Sequence, residues 1–386
     1  MKLLLYSHYF TPSVGGVETI VLSLARGLAE LRDTNGQPEF EVTLATQTRA
    51  EKFDDAALPF RVIRQPSLPR LWQIVRAAHV VHVAGPALAP LILGLLARKP
   101  VVVEHHGFQT ICPNGQLLIE PSDTPCPGHF MAGRHRECLR CNAGQGWLAS
   151  RKLWLLTFVR RFLCARAAAN IAPTAWLGGL LRLPRIIVIP HGLETSELVA
   201  RTIPSSGPPV IAFQGRLVTT KGVKLLLEAA RILREQSRSF ELLIIGDGPE
   251  RSSLEGFAQD ASLAGRVRFA GRLAAAQLQA ALAQASIAVV PSLGGEVFGL
   301  VVAENMQRSL PVVASDLGSF AEVLGEAGLT FRAGDAAALA HELARLLDDS
   351  TLGASLGERA RRRVLDQCDR RRMLEAHARV YHDACR

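Results

Sequence analysis

Residues 287–305, IAVVPSLGGEVFGLVVAEN, run from an apolar, β-branched segment through a glycine-rich turn into a second apolar segment that carries a carboxylate. IAVVPS predicts a buried strand ending near Ser292, and GLVVAENMQ predicts a helix starting near Phe298 or Gly299. Strand, tight turn and helix in that order are the repeating unit of a parallel α/β sheet, so this stretch decides the fold class. It also poses a chemical question. Glu304 sits among Val301, Val302, Ala303 and Met306, where a carboxylate is costly unless something hydrogen-bonds it. Glu304 either pairs with Arg308 one turn on or faces a ligand.

The same rhythm extends outward in both directions. Upstream in the second half lie the strand patterns VIAFQG, ELLIIG and RVRFAG, each followed by an amphipathic helix pattern, and PVVAS lies downstream. The first half repeats the alternation with KLLLYS, FEVTLATQ, VVHVAG and PVVVEHH. The expected fold is α/β: two Rossmann-like, doubly wound parallel-sheet domains, 1–195 and 196–369, facing an interdomain cleft. TIPSSGPPV (202–210) reads as the linker, and a Cys-rich insertion, 107–146, interrupts the first domain. The charged helix at about 370–386 is expected to pack back on the first domain. Ligands of such sheets bind at the carboxyl ends of the strands.

The bulk numbers agree with that architecture. A chain of 386 residues, 48% hydrophobic and 20% charged, is an ordinary globular composition with room for two cores. No apolar run reaches the roughly 18 residues of a membrane span. MKLLLYSHYFTP reads as a first strand rather than a signal peptide, so a cytoplasmic location is expected and a secreted disulfide scaffold is excluded. The net charge of +9 lies in the first half, where residues 1–190 hold 21 Lys and Arg against 12 Asp and Glu. That surplus suits a phosphorylated substrate, an anionic membrane surface or nucleic acid.

Individual residues sharpen the chemistry. A helix starting near Gly299 offers unpaired N–H groups to a phosphate, and glycine there allows close backbone approach. Glu304, about one and a half turns in, is placed to accept from the hydroxyl pair of a ribose. Glu296 either holds hydroxyls of a second sugar or caps the helix. Arg216 and Lys221, in FQGRLVTTKG, are either diphosphate-binding cations or solvated loop charges. LLIIGDGPE carries Gly246 and Gly248 but has Arg251 where a dinucleotide fingerprint needs a third glycine. A tight turn beside a nucleotide base remains open to Gly246.

Together GRLVTTKG, IIGDGPE, RFAGRL, VVPSLGGEVFGLVVAEN and PVVASDLGS closely resemble the retaining nucleotide-sugar glycosyltransferases of family 4, with the GT-B fold. PSVGGVE (12–18) and VIPHGLE (188–194) extend the resemblance over nearly the whole chain. It implies transfer of a sugar from a UDP- or GDP-sugar to a carbohydrate or lipid-linked hydroxyl, in surface polysaccharide or glycolipid assembly. It implies Arg216 and Lys221 on the diphosphate and Glu304 on the ribose. Glu296, Phe298, Gly299 and Leu300 fall on the donor sugar and phosphate, and Gly15 and Gly16 on the first glycine-rich loop. His106 matches the active-site histidine, with His105 as the competing choice. His191, Asn305, Ser309 and Ser319 depart from the family pattern. No Asp-x-Asp motif is present, so no cofactor or divalent metal is expected for catalysis.

Two features stand outside the resemblance. Cys112, Cys126, Cys138 and Cys141, with His129 and His135 as substitutes, read as a structural zinc site or as free or redox-active thiols. The segment 147–170 mixes Trp147, Trp154, Phe158 and Phe162 with Arg151, Lys152, Arg160 and Arg161. It reads either as a helix on anionic lipid at the inner face of the plasma membrane or as a core-packed helix with solvated charges. The rival to an enzyme is a zinc-stabilised, basic nucleic-acid-binding protein, disfavoured by few stacking aromatics and no recognition motif.

Overall fold

The computed structural model describes residues 1–13, 15–51, 53–120, 122–194 and 207–386; most of the expected linker lies outside the described residues. Contacts divide the chain into two units. The first comprises Met1–Gln116, Gly128–Glu194 and Asp369–Arg386, and the second Leu117–Pro127 and Thr195–Cys368. The expected insertion 107–146 is therefore shared. Its middle forms a short antiparallel hairpin counted with the second unit, and its end forms the helix His135–Cys141 in the first.

In the first unit, β1 (Lys2–Ser7), β2 (Glu41–Thr46), β3 (Arg61–Arg64), β4 (Val80–Ala84) and β5 (Val101–Glu104) precede that hairpin, β6 (Leu118–Ile119) and β7 (Thr124–Pro125). β8 (Ala169–Ala172) and β9 (Ile186–Val188) complete a parallel sheet of order β3-β2-β1-β4-β5-β8-β9. Leu3 to Tyr6 are buried on both faces, the signature of a strand with helices above and below. Helix Gly16–Glu30 packs through Ile20, Val21, Leu24 and Leu28, which recur at helical spacing. The C-terminal helix Arg370–Ala384 belongs to the same core. Leu374 fills the space that Gly27 leaves, where an added Cβ would come within 2.5 Å of its methyl carbon.

The second unit holds β10 (Val210–Gln214), β11 (Glu241–Ile245), β12 (Val267–Gly271), β13 (Ile287–Val290), β14 (Val312–Ser315) and β15 (Leu329–Phe331). All are parallel, in the order β12-β11-β10-β13-β14-β15. Strand β13 stops two residues short of the expected end because Pro291 has no N–H to give a ladder. The strand order reverses between β10 and β13, and between β1 and β4 in the first unit. At such switch points the loops beyond the carboxyl ends diverge and leave a crevice. Among the described residues no helix is long and apolar enough to cross a membrane.

Candidate functional site

At the switch point of the second unit, two loops meet backbone to backbone. The loop after β10 carries Arg216 and closes with the turn Thr219–Lys221. Gly222 follows at φ +67°, and a Cβ there would lie 1.9 Å from the Pro291 carbonyl oxygen. Only glycine permits both that conformation and that approach. Leu293 N–H donates to the Thr220 carbonyl at 2.8 Å, tying the loop after β13 to the loop after β10.

This contact places the Lys221 ammonium on the Glu296 carboxylate, which also accepts from Ser292 Oγ at 3.1 Å. Ser319 Oγ donates to the Glu296 carbonyl at 2.9 Å, so the serine that departs from the family pattern holds the turn. Gly299, at φ +97°, caps helix Leu300–Gln307 with no side-chain bond. An added Cβ at Gly299 would strike the Phe320 ring at 2.6 Å. The first turn of that helix therefore has no capping side chain, which is what an anion site at a helix start requires.

Glu304 is half-buried, and its Oε2 accepts from Gln214 Nε2 at 3.4 Å. Burial pushes its carboxyl up, and Arg308 and Gln214 offset only part of that. The alternative pairing with Arg308 is not made among the described residues. Arg308 instead donates to the Glu304 carbonyl at 2.8 Å and to Gln279 Oε1 at 3.3 Å. Arg216 is exposed, with no acidic partner among the described residues. Gly246, at φ +139°, has a packing reason of its own: a Cβ would lie 1.8 Å from the Gly215 carbonyl oxygen. It lets the turn after β11 back the Arg216 loop.

In the first unit, Gly15 is the extended N-cap of helix Gly16–Glu30 and provides no side-chain cap. His105 is fully buried, with Nε2 2.9 Å from Asn170 Oδ1, and burial lowers its pKa to about 4. It is a neutral core residue. His106 keeps slight exposure and stacks on His191 with ring centroids 5.4 Å apart.

The sequence reading missed what surrounds His106. Glu104, fully buried at the end of β5, is ringed by four imidazoles. His82 Nε2 lies 3.2 Å and His106 Nε2 3.4 Å from its Oε2, and His377 Nε2 lies 3.7 Å from the same oxygen. His191 Nδ1 lies 3.7 Å from Oε1. Burial would raise the Glu104 carboxyl, but the His106 charge and contacts from His106, His377 and His82 hold it well below the usual range. Burial lowers His82, and it lowers His191 to about 3. A polar residue in each of the apolar strands VVHVA and VVVE was the visible signal for His82 and Glu104.

Cys112 Sγ donates to Asn114 Oδ1 at 2.9 Å, and Asn114 Nδ2 lies 3.6 Å from Cys141 Sγ. Cys138 is buried on helix His135–Cys141, and Cys126 is half-buried. Among the described residues, the group of His, Cys, Asp and Glu ligand atoms gathered within 4.8 Å is Glu104, His106 and His191. Helix Trp147–Cys164 leaves Trp147, Leu148, Leu155, Phe158 and Phe162 exposed beside exposed Arg151 and Lys152. The core-packed reading therefore fails for Trp147 and Phe162, whereas Phe158 and Trp154 pack together against Phe130 and His135.

Residues 14–197 match the family described as Glycosyltransferase Family 4, and residues 196–363 match Glycosyl transferases group 1. A phosphatidyl-myo-inositol mannosyltransferase of Mycobacterium leprae is 37% identical over 173 residues, 43% of this chain and 45% of the relative. That match thus spans about half the length of each protein. A glycogen synthase of Mycobacterium tuberculosis is 30% identical over 297 residues, 73% of this chain and 69% of the relative. Sucrose-phosphate synthase from Thermosynechococcus elongatus superposes with a TM-score of 0.75 at 21% identity, covering 99% of this chain and 98% of that one. Anabaena HepE, solved with UDP-glucose, gives 0.74 at 18% identity over 98% of both chains. The two solved structures define the fold as GT-B. The chain belongs to the glycosyltransferases of family 4 type.

Proposed function

We propose that the chain transfers a sugar from a nucleotide diphosphate sugar to an acceptor hydroxyl and retains the anomeric configuration. One observation carries the reading. In the second unit, Arg216, Lys221, the uncapped helix start at Gly299 and the half-buried Glu304 all occupy or adjoin the loops of one switch point. A diphosphate needs the cations and the helix start, and a ribose diol needs the carboxylate. The printed names of relatives, mannosyltransferase and glycogen synthase, and the UDP-glucose held by HepE support the same class of donor.

In the reaction the bond from the anomeric carbon to the diphosphate oxygen breaks and a bond to the acceptor oxygen forms on the same face. The acceptor proton passes to the leaving diphosphate. Negative charge grows on that group, and Arg216, Lys221 and the helix dipole at Gly299 stabilise it without asking a divalent ion of the diphosphate. Lys221 must leave Glu296 to do so, which frees Glu296 for hydroxyls of the donor sugar. His106 and the helix start at Gly15 and Gly16 supply the acceptor side of this reading.

The acceptor is read as a carbohydrate or lipid-linked hydroxyl of surface polysaccharide or glycolipid assembly. The exposed aromatic and basic face of helix Trp147–Cys164 supports docking on an anionic membrane surface. Nucleic-acid binding is not favoured by the family to which the chain belongs. Calorimetric titration with UDP, GDP and their sugars tests the reading. Saturable binding of one base is expected, and binding of none overturns it. Product anomeric couplings measured by NMR test retention.

A further inference from the structure

We propose that Glu104, His106 and His191 form a binding site for a divalent transition-metal ion of the zinc class. The three supply one carboxylate and two imidazole atoms within 4.8 Å of one another, in a buried part of the first unit. Two histidines and a carboxylate with a further position open are a set that zinc and its neighbours accept. Magnesium and calcium prefer all-oxygen shells, so the imidazoles select against them.

The spacing argues for ligation rather than hydrogen bonding. A charge-assisted bond to a carboxylate closes to about 2.7–2.9 Å. Ligands held at 2.0–2.1 Å around a tetrahedral ion stand about 3.4 Å apart. Here His106 lies 3.4 Å from one carboxylate oxygen and His191 3.7 Å from the other. Among the described residues, neither oxygen of fully buried Glu104 accepts a hydrogen bond of good geometry, although His82 Nε2 comes to 3.2 Å of Oε2. Buried acceptor atoms without a well-placed donor are costly, and a bound cation satisfies them.

Two further histidines flank the set. His377 Nδ1 lies 2.8 Å from the Met373 carbonyl, which can only accept, so Nδ1 carries a proton. Its Nε2 lies 3.7 Å from Glu104 Oε2. His82 is held from its far side by Tyr381 OH, 2.9 Å from Nδ1. His105 is not part of the set, because its Nε2 is committed to Asn170.

The inference does not depend on sugar transfer, since metal binding is read without any donor. The test uses full-length protein prepared without a polyhistidine tag. Elemental analysis should find about one zinc-class ion per chain. The metal-stripped protein titrated with cobalt(II) should develop the visible absorption of a low-coordinate cobalt site. His191→Asn replaces the ligand with a smaller residue and should weaken cobalt binding on the order of 100-fold or more while circular dichroism stays unchanged. Glu104→Gln, if folded, should do the same. Wild-type protein that holds no metal and gives no cobalt spectrum overturns the proposal. So does binding that survives His191→Asn but disappears when Cys138 and Cys141 are replaced by serine.

Discussion

The Lys221 ammonium is hydrogen-bonded to the Glu296 carboxylate, joining the loop after β10 to the loop after β13. The pair is part-exposed, so its own contribution to stability is at most about 1 kcal/mol. Its chemistry matters more. A diphosphate offers Lys221 a stronger partner than Glu296 does. Lys221→Ala is therefore expected to leave the melting temperature nearly unchanged and to lower kcat/KM on the order of 100-fold. Steady-state assays with the donor found by titration check this, and near-normal turnover by a folded variant removes Lys221 from the site.

Glu304 pits binding against stability. Its carboxyl pKa is raised by burial, so the folded protein pays for the ionised form at neutral pH. For a raised carboxyl the favourable contribution is present below the unfolded value of 4.5 and is lost as pH rises through the folded value. Glu304→Gln is expected to raise the melting temperature at pH 7, with the gain shrinking toward zero below pH 4.5. The same change should cut donor affinity about 10- to 100-fold, because the ribose diol loses a charged acceptor. Thermal unfolding across pH, paired with calorimetry, separates the two effects.

Gly222 is where the loops after β10 and β13 touch. A Cβ there meets the Pro291 carbonyl oxygen at 1.9 Å, in a left-handed conformation. Gly222→Ala should cost more than about 2 kcal/mol and weaken donor binding, since both loops must shift. Gly256→Ala, in helix Arg251–Asp260 with open space around it, should stabilise by about 0.5–1 kcal/mol. Urea unfolding of both variants measures the contrast.

Trp147 and Leu148 are 64% and 74% exposed, beside Arg151 stacked over the Trp147 ring at 4.1 Å. Docking on anionic lipid predicts co-sedimentation with phosphatidylserine vesicles that falls with salt. Arg151→Glu with Lys152→Glu should weaken it by about fivefold or more per charge, from roughly 1 kcal/mol for each basic residue near the surface. Equal binding by wild type and variant dismisses the helix as the membrane contact.

Much of the layout at the second unit's switch point was legible in the chain itself. Gly299, Glu296 and Glu304 lie within or beside one strand–turn–helix unit, where local spacing dictates which strand end or helix start a residue occupies. The choice between Glu304 facing Arg308 and facing inward was not legible, because both fit an i,i+4 spacing. Packing decided it by drawing the Arg308 guanidinium to backbone and to Gln279.

Residue order alone determined two parallel α/β units, because alternating periodicities and turn residues act over a few positions and leave little choice of element. The histidines around Glu104 were beyond its reach. His82 and Glu104 meet because β4 and β5 pair with Ala84 opposite Glu104, which puts both side chains on one face. His191 and His377 arrive from a loop and from a helix at the far end of the chain. Periodicity tells which residues are buried. Which buried polar groups share a pocket depends on strand register and on where distant helices dock, and only the folded chain settles both.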